Sequence, residues 1–237
     1  MEAMQEHKPG QTRLRWAQAG AAAALWCLPA LVLTLPRGLL PFGLLVLATT
    51  VLVPRQMLAA VRLIGWRWWL AATAVVVPLL VVAVSIRLGG ALHGLDGPSR
   101  WLGLPWLMAW AWALQPPREM LWRGALVGLV AAAALALVQV LGGEARPGAW
   151  VHPIVFANVV LALMVLVVFC RPLRSWHWTG LGLLLGTLAI LLSGTRGVWP
   201  GLGLLWLVLM LGSGWRSRRS RILLAGALVV AGIVALA

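Results

Sequence analysis

The chain has 237 residues, is 62% hydrophobic and 10% charged, and carries 19 Lys and Arg against 5 Asp and Glu, a formal net charge of +14 at pH 7. Apolar runs of bilayer-spanning length recur from about residue 18 onward with no domain-sized polar segment between them. This excludes a water-soluble domain with its own core and predicts an all-α, polytopic integral membrane protein of about nine transmembrane helices. So basic a soluble chain would suggest a nucleic-acid partner, but these basic residues sit between the apolar runs and leave no basic face to hold one.

Residues 1–16 are polar and read as a cytoplasmic tail, and 17–237 as one transmembrane helical domain. A first helix from about Ala17 to Leu35 ends at Pro36-Arg37-Gly38, a hairpin-sized break, and a second runs from about Leu39 to Val53. Lys8, Arg13 and Arg15 precede the first run, but no small-x-small cleavage pattern closes it, so it reads as a retained helix and not a signal peptide. A basic connection with Arg55, Arg62 and Arg67 follows, its Trp66, Trp68 and Trp69 suited to interfacial anchoring ahead of a third helix, about Leu70 to Ile86. The polar stretch Arg87 to Arg100, with His93 and Asp96, leads into a short fourth helix, Trp101 to Leu114.

After Gln115-Pro116-Pro117-Arg118-Glu119 a fifth helix runs from about Leu121 to Leu141 and stops at Gly142-Gly143, glycine being favoured just past helix C-termini. A sixth starts near His152-Pro153, where the missing proline N–H would be unpaired anyway, and ends at Cys170. Arg171 to His177 connects to a seventh, about Trp178 to Leu192. The stretch Ser193-Gly194-Thr195-Arg196-Gly197 then turns into an eighth, about Val198 to Leu211. Beyond the basic segment Trp215 to Arg221, a ninth run extends from Ile222 to the last residue. Cys27 and Cys170 lie inside apolar runs and read as packed thiols. The spacings Gly124/Gly128, Gly182/Gly186 and Gly197/Gly201 put small residues on one helical face, a pattern for close helix packing.

With a cytoplasmic N-terminus, the outer connections hold only Arg37, Arg87, Arg100, Arg146 and Arg196, leaving 14 of the 19 Lys and Arg inside, as the positive-inside rule requires. The ninth run then ends on the outer side with no polar residue to close it, and the sequence reads as cut short just before an outer segment.

On this topology Arg146 and His152 share the outer side with Arg196. Arginine offers a rigid fork of donors matched to phosphate oxygens, and beside low-dielectric lipid its attraction to a pyrophosphate is weakly screened. Arg146, Arg196, Arg100 and His152 are therefore the candidate substrate-binding residues. Each has a plainer reading beside it: Arg196 as an anchor snorkelling to headgroups, His152 as a helix cap, Arg100 as a loop ion pair with Asp96. Asn158 reads chiefly as an interhelical hydrogen-bond partner. His93 and Asp96 are too few for a metal site, and no nucleotide, phosphate-loop, zinc or nucleophile-elbow signature occurs, so no cofactor and no metal are expected.

Three segments follow one another at helix boundaries on one membrane side: Leu95-Asp96-Gly97-Pro98-Ser99-Arg100, then Arg146 ahead of His152-Pro153-Ile154-Val155-Phe156-Ala157-Asn158, then Ser193-Gly194-Thr195-Arg196-Gly197 with Trp199. In that order, over about residues 95–200, they resemble the successive motifs of the O-antigen ligase family. The resemblance implies a multi-pass glycosyltransferase of the bacterial inner membrane. Such an enzyme moves a glycan from undecaprenyl pyrophosphate to the lipid A core on the periplasmic side, without metal or nucleotide, so its partners would be that donor, that acceptor and membrane lipid. Arg146 and Arg196 match by position arginines that the family uses around the donor pyrophosphate. The family's essential histidine lies in a large periplasmic loop beyond the ninth helix. No catalytic residue is therefore assigned, the base is expected beyond Ala237, and His152 does not take its place. O-antigen polymerases and pilin O-oligosaccharyltransferases of the same superfamily are the nearest alternatives. A lipid-linked glycan transporter is the alternative from another class, disfavoured by helix interiors almost free of charge.

Overall fold

The computed structural model describes residues 9–63, 65, 67–87, 103–172 and 175–211. Among them the chain is all-helical: α1 Pro9–Leu31, α2 Leu39–Leu52, α3 Pro54–Leu63, α4 Arg67–Arg87, α5 Leu104–Leu114, α6 Glu119–Leu141, α7 Pro153–Phe169, α8 Trp176–Leu192, a 3-10 turn Arg196–Val198 and α9 Trp199–Leu211. The polar segment with His93, Asp96 and Arg100, the side chains of Trp66, Trp68 and Trp69, and the ninth apolar run lie outside the described residues.

Two elements differ from the sequence expectation, both for the same reason. Helix α1 begins inside the polar stretch, because Leu14 packs inward and Ala17, Ala21 and Ala24 are buried, a helical stripe, while Gln11, Arg13 and Arg15 stay exposed. The basic connection after α2 is itself a helix, α3. Pro54 opens it, Val53, Met57 and Ala60 are buried at helical spacing, and Arg55 and Arg62 remain outside. It turns 94° away from α2. In both places charged residues on one face concealed an apolar stripe on the other.

The helices form two compact units, Met1–Leu25 with Leu40–Pro117, and Trp26–Leu39 with Arg118–Ala237. In the first, α5 packs on α3 and α4. Its core gathers Ala17, Ala21, Ala24, Val46, Val53, Met57, Ala109, Trp110 and Leu114. Gly20 lets α1 approach α2, since a Cβ there would lie 2.6 Å from the Thr49 methyl. The Trp110 indole N–H donates to Thr49 Oγ1 at 2.8 Å, so that large ring is buried without orphaning its donor, and the exposed Trp106 donates to Thr50 Oγ1 at 3.1 Å.

The second unit is built on a triad, α6, α7 and α8, each packed on the other two, with α9 joined to α7. Phe156, Leu129, Met164, Leu183 and Ile190 fill its centre. Two of the three glycine pairs serve the close packing expected of them. A Cβ on Gly124 or Gly128 would overlap the carbonyl oxygens of Trp26 and Pro29, and one on Gly182 or Gly186 would press on Leu126 or Met164 at 2.7 and 2.6 Å. In the third pair Gly201 meets Leu161, while Gly197 faces open space. Trp122 and Trp206 repeat the indole-to-threonine pairing, donating to Thr179 and Thr187 at 3.2 and 3.3 Å.

Helix α6, 23 residues long with an 18-residue stretch of mean hydropathy 2.3, is long and apolar enough to cross a membrane. Helices α2 and α3 would make a second crossing if the bent pair counts as one span. Helices α5, α7 and α8 and the 196–209 segment are apolar but shorter. The outer faces of the second unit carry exposed Val127, Val130, Leu137, Leu184, Leu188, Leu204 and Leu207.

Candidate functional site: an arginine-lined depression

The turn after α8 is held from within by its small hydroxyl residues. Ser193 is fully buried and donates its Oγ–H to the Ile190 carbonyl at 2.7 Å. The Thr195 N–H donates to Ser193 Oγ at 3.4 Å. Between them Gly194 takes the left-handed conformation, φ +63°, which reverses the chain where a side chain would strain it. Burial therefore alternates along the turn, with Ser193, Thr195 and Val198 inside and Gly194, Arg196 and Gly197 outside. Arg196 and Gly197 open the 3-10 turn, and the first N–H groups of such a turn have no acceptor within the helix.

The facing wall is the connection between α6 and α7. Gly143, φ +89°, ends α6. From the last turn of that helix Gln139 reaches into the connection. Its Oε1 accepts from the N–H groups of Gly148 and Ala149 at 3.1 and 2.9 Å, and its Nε2 donates to the Ala149 carbonyl at 3.2 Å. These three bonds fix the loop that carries Arg146. Gly148 is buried, and a Cβ on it would overlap the Val151 carbonyl oxygen, so the loop closes tightly before α7.

Arg146 and Arg196 meet here. With Ile154, Gly194, Thr195 and Gly197 they line an open depression of about 480 Å³. Arg146 Nη2 approaches the Gly194 carbonyl at 3.5 Å, a long contact that leaves most of the fork uncommitted. Both arginines are exposed, and among the described residues neither has a carboxylate partner. Two guanidinium groups lining one concavity present donors of the kind that can hold a multiply charged oxyanion. Among the described residues no three of His, Cys, Asp and Glu come together to hold a metal ion.

His152 sits beside this depression in sequence but does not line it. It is the N-cap of α7: its Nδ1 accepts from the Ile154 N–H at 3.3 Å, and Pro153 occupies the first helical turn. A neutral imidazole accepting at Nδ1 carries its proton on Nε2, which makes that nitrogen a donor and not a base. Asn158 corrects the interhelical expectation, because its side chain is exposed and donates back to the Ile154 carbonyl of its own helix at 2.9 Å. Arg100 lies outside the described residues. Gln139 was missed; its signal was a lone amide within the last turn of an otherwise apolar helix.

At the far end of the same triad the arginines are spent differently. Arg123 pairs with Glu119 at 2.6 Å, and the Arg171 guanidinium stacks on Trp176, 3.3 Å from the ring centroid. Burial pushes the Arg171 pKa below its ordinary value, and among the described residues its Nη1 has no hydrogen-bond partner. No protein-family model matches the chain, and no curated protein matches it.

Proposed function

We propose that the chain is a multi-pass protein of the bacterial inner membrane, with about nine crossings and a cytoplasmic N-terminus. In this reading its arginine depression binds the pyrophosphate of undecaprenyl-pyrophosphate-linked glycan on the periplasmic side, for transfer of the glycan to lipid A core. The observation that carries the reading is the convergence of Arg146 and Arg196, 50 positions apart in sequence, on one open depression. The exposed leucines and valines of α6 to α9 support embedding in lipid, because patches this extensive are costly in water.

The chemistry asks little covalent work of the protein. Pyrophosphate leaves readily, so the bond from sugar to phosphate breaks as an acceptor hydroxyl attacks the sugar carbon. Arg146 and Arg196 hold the pyrophosphate and offset the charge growing on the oxygen that leaves the sugar carbon. The hydroxyl proton must go to a group outside the six lining residues, none of which is a base at neutral pH.

Purified chain titrated with a polyprenyl pyrophosphate tests the donor half directly. Wild type binds, Arg196→Ala loses at least tenfold, and Arg196→Lys is also impaired because a point charge replaces a planar fork. Equal binding by all three would overturn the assignment. Acceptor assays with lipid A core, a second donor glycan or pilin separate ligation from polymerisation and protein glycosylation. Glycan transport into liposomes with no acceptor modified would instead favour a transporter.

A further inference from the structure

The connection between α1 and α2, residues 32–38, belongs to the second unit and meets the loop that carries Arg146. Its Leu33 is buried in the core of the α6–α8 triad, and Ala149 packs against the same core. One hydrogen bond joins the two connections: the Trp150 indole N–H donates to the Thr34 carbonyl at 3.1 Å, across 116 positions of sequence. Both are stiff around that bond. Ala149, φ +54°, stands just before Trp150 with its N–H held by Gln139, and Arg37, φ +123°, stands three residues after Thr34. A side chain at such φ values strains the backbone, and strain of this kind persists where the surroundings impose it, often at ligand clamps. Gly38 closes the shorter connection, since a Cβ there would overlap the Leu31 carbonyl oxygen.

The ring so fixed stays open. Trp150 is 59% exposed, whereas Trp122 and Trp206, which also donate through their indoles, are 8% and 5% exposed. An indole that only anchors a chain at a lipid surface needs no such bracing: Trp178, at the other end of the triad, is 62% exposed and among the described residues has no hydrogen bond. Trp150 also stands four residues from Arg146 and four from Ile154, both of which line the arginine depression. Four residues span at most about 14 Å. We propose that the Trp150 face is a sugar subsite, on which the first pyranose rings of a donor held by its pyrophosphate in the depression lay their C–H faces. Sugar C–H groups carry a slight positive charge and the indole face a negative one, so the two attract while the sugar hydroxyls keep their water. The bond to Thr34 uses the edge of the indole, in the plane of the ring, and leaves its face for stacking. The proposal rests on the pyrophosphate reading above and adds to it a residue that selects for the glycan and not for its lipid carrier.

The test is titration of the purified full chain in detergent with two probes, undecaprenyl pyrophosphate and the same lipid carrying a cellobiosyl group, whose glucose rings present flat C–H faces. Wild type should bind the disaccharide lipid about fivefold tighter than the bare one. Trp150→Ala should abolish that gain and leave affinity for the bare lipid unchanged. Trp150→Phe keeps a ring but loses the bond to Thr34 and should retain part of the gain, which holds the test open should the alanine variant fold poorly. Arg196→Ala should weaken both lipids alike, with the gain preserved. Equal affinity of wild type for the two lipids overturns the sugar subsite. So does an equal loss for both in Trp150→Ala, which would give the ring to the loop or the membrane. Failure of wild type to bind the bare lipid overturns the pyrophosphate reading, and the subsite with it, a separate outcome.

Discussion

The two ends of the α6–α7–α8 triad carry the same residue type and use it in opposite ways. At one end Arg123 is closed on Glu119 and Arg171 on Trp176; at the other Arg146 and Arg196 stand exposed with one long contact to a carbonyl between them. The difference arises in the turns. The Ser193–Thr195 turn satisfies its own polar groups internally, and Gln139 does the same for the Arg146 loop, so neither arginine is needed to hold its connection. Arginines that a fold does not require for its own bonds are the ones it can offer to a ligand.

Breaking that contrast begins with the exposed pair. Arg146→Ala with Arg196→Ala should lower polyprenyl pyrophosphate affinity by about two to four orders of magnitude, each charge-assisted contact being worth about 1.5–3 kcal/mol. Thermal unfolding in detergent should barely move. If stability fell with binding, the pair would belong to the structure and not to a ligand site. Next in size is Gln139→Leu, which strands the N–H groups of Gly148 and Ala149. It should cost about 2–3 kcal/mol and weaken donor binding as the loop loosens, read by unfolding and titration on one sample. His152→Ala removes a helix cap and should cost about 1 kcal/mol, with His152→Asn restoring most of it and donor affinity unchanged in both. A large loss of affinity in the asparagine variant would show that the imidazole touches the donor.

Much of this arrangement was legible in the sequence. Runs bounded by proline, glycine and arginine located α2 and α5 to α9 within a few residues, because a fully apolar helix needs no periodicity to be recognised. The same habit hid α3 and the start of α1, where Arg55, Arg62 and Arg13 interrupt the run but not the stripe of Val53, Met57, Ala60 or of Ala17, Ala21, Ala24. Arg146 and Arg196 could be paired in advance because two apolar runs separate their connections, which brings both to the same end of the helices. The bonds that free them could not, since Ser193, Thr195 and Gln139 act through backbone groups whose positions depend on the left-handed residues Gly194, Gly143 and Ala149.

The smallest effect is expected at the committed end. Glu119→Gln removes an exposed i,i+4 ion pair with Arg123 and a negative charge in the first turn of α6, together worth about 0.5 kcal/mol at low ionic strength. The loss should disappear in about 1 M salt, where charges are screened within roughly 3 Å. Arg171→Met should be similarly mild for a different reason. It gives up the stack on Trp176, about 1 kcal/mol, but also removes a buried donor that has no acceptor among the described residues, which costs about as much to keep. Donor affinity should be untouched by either change. A fall in affinity with Arg171→Met would mean that the two ends of the triad are coupled, and that the stacked arginine serves the ligand through the helices between them.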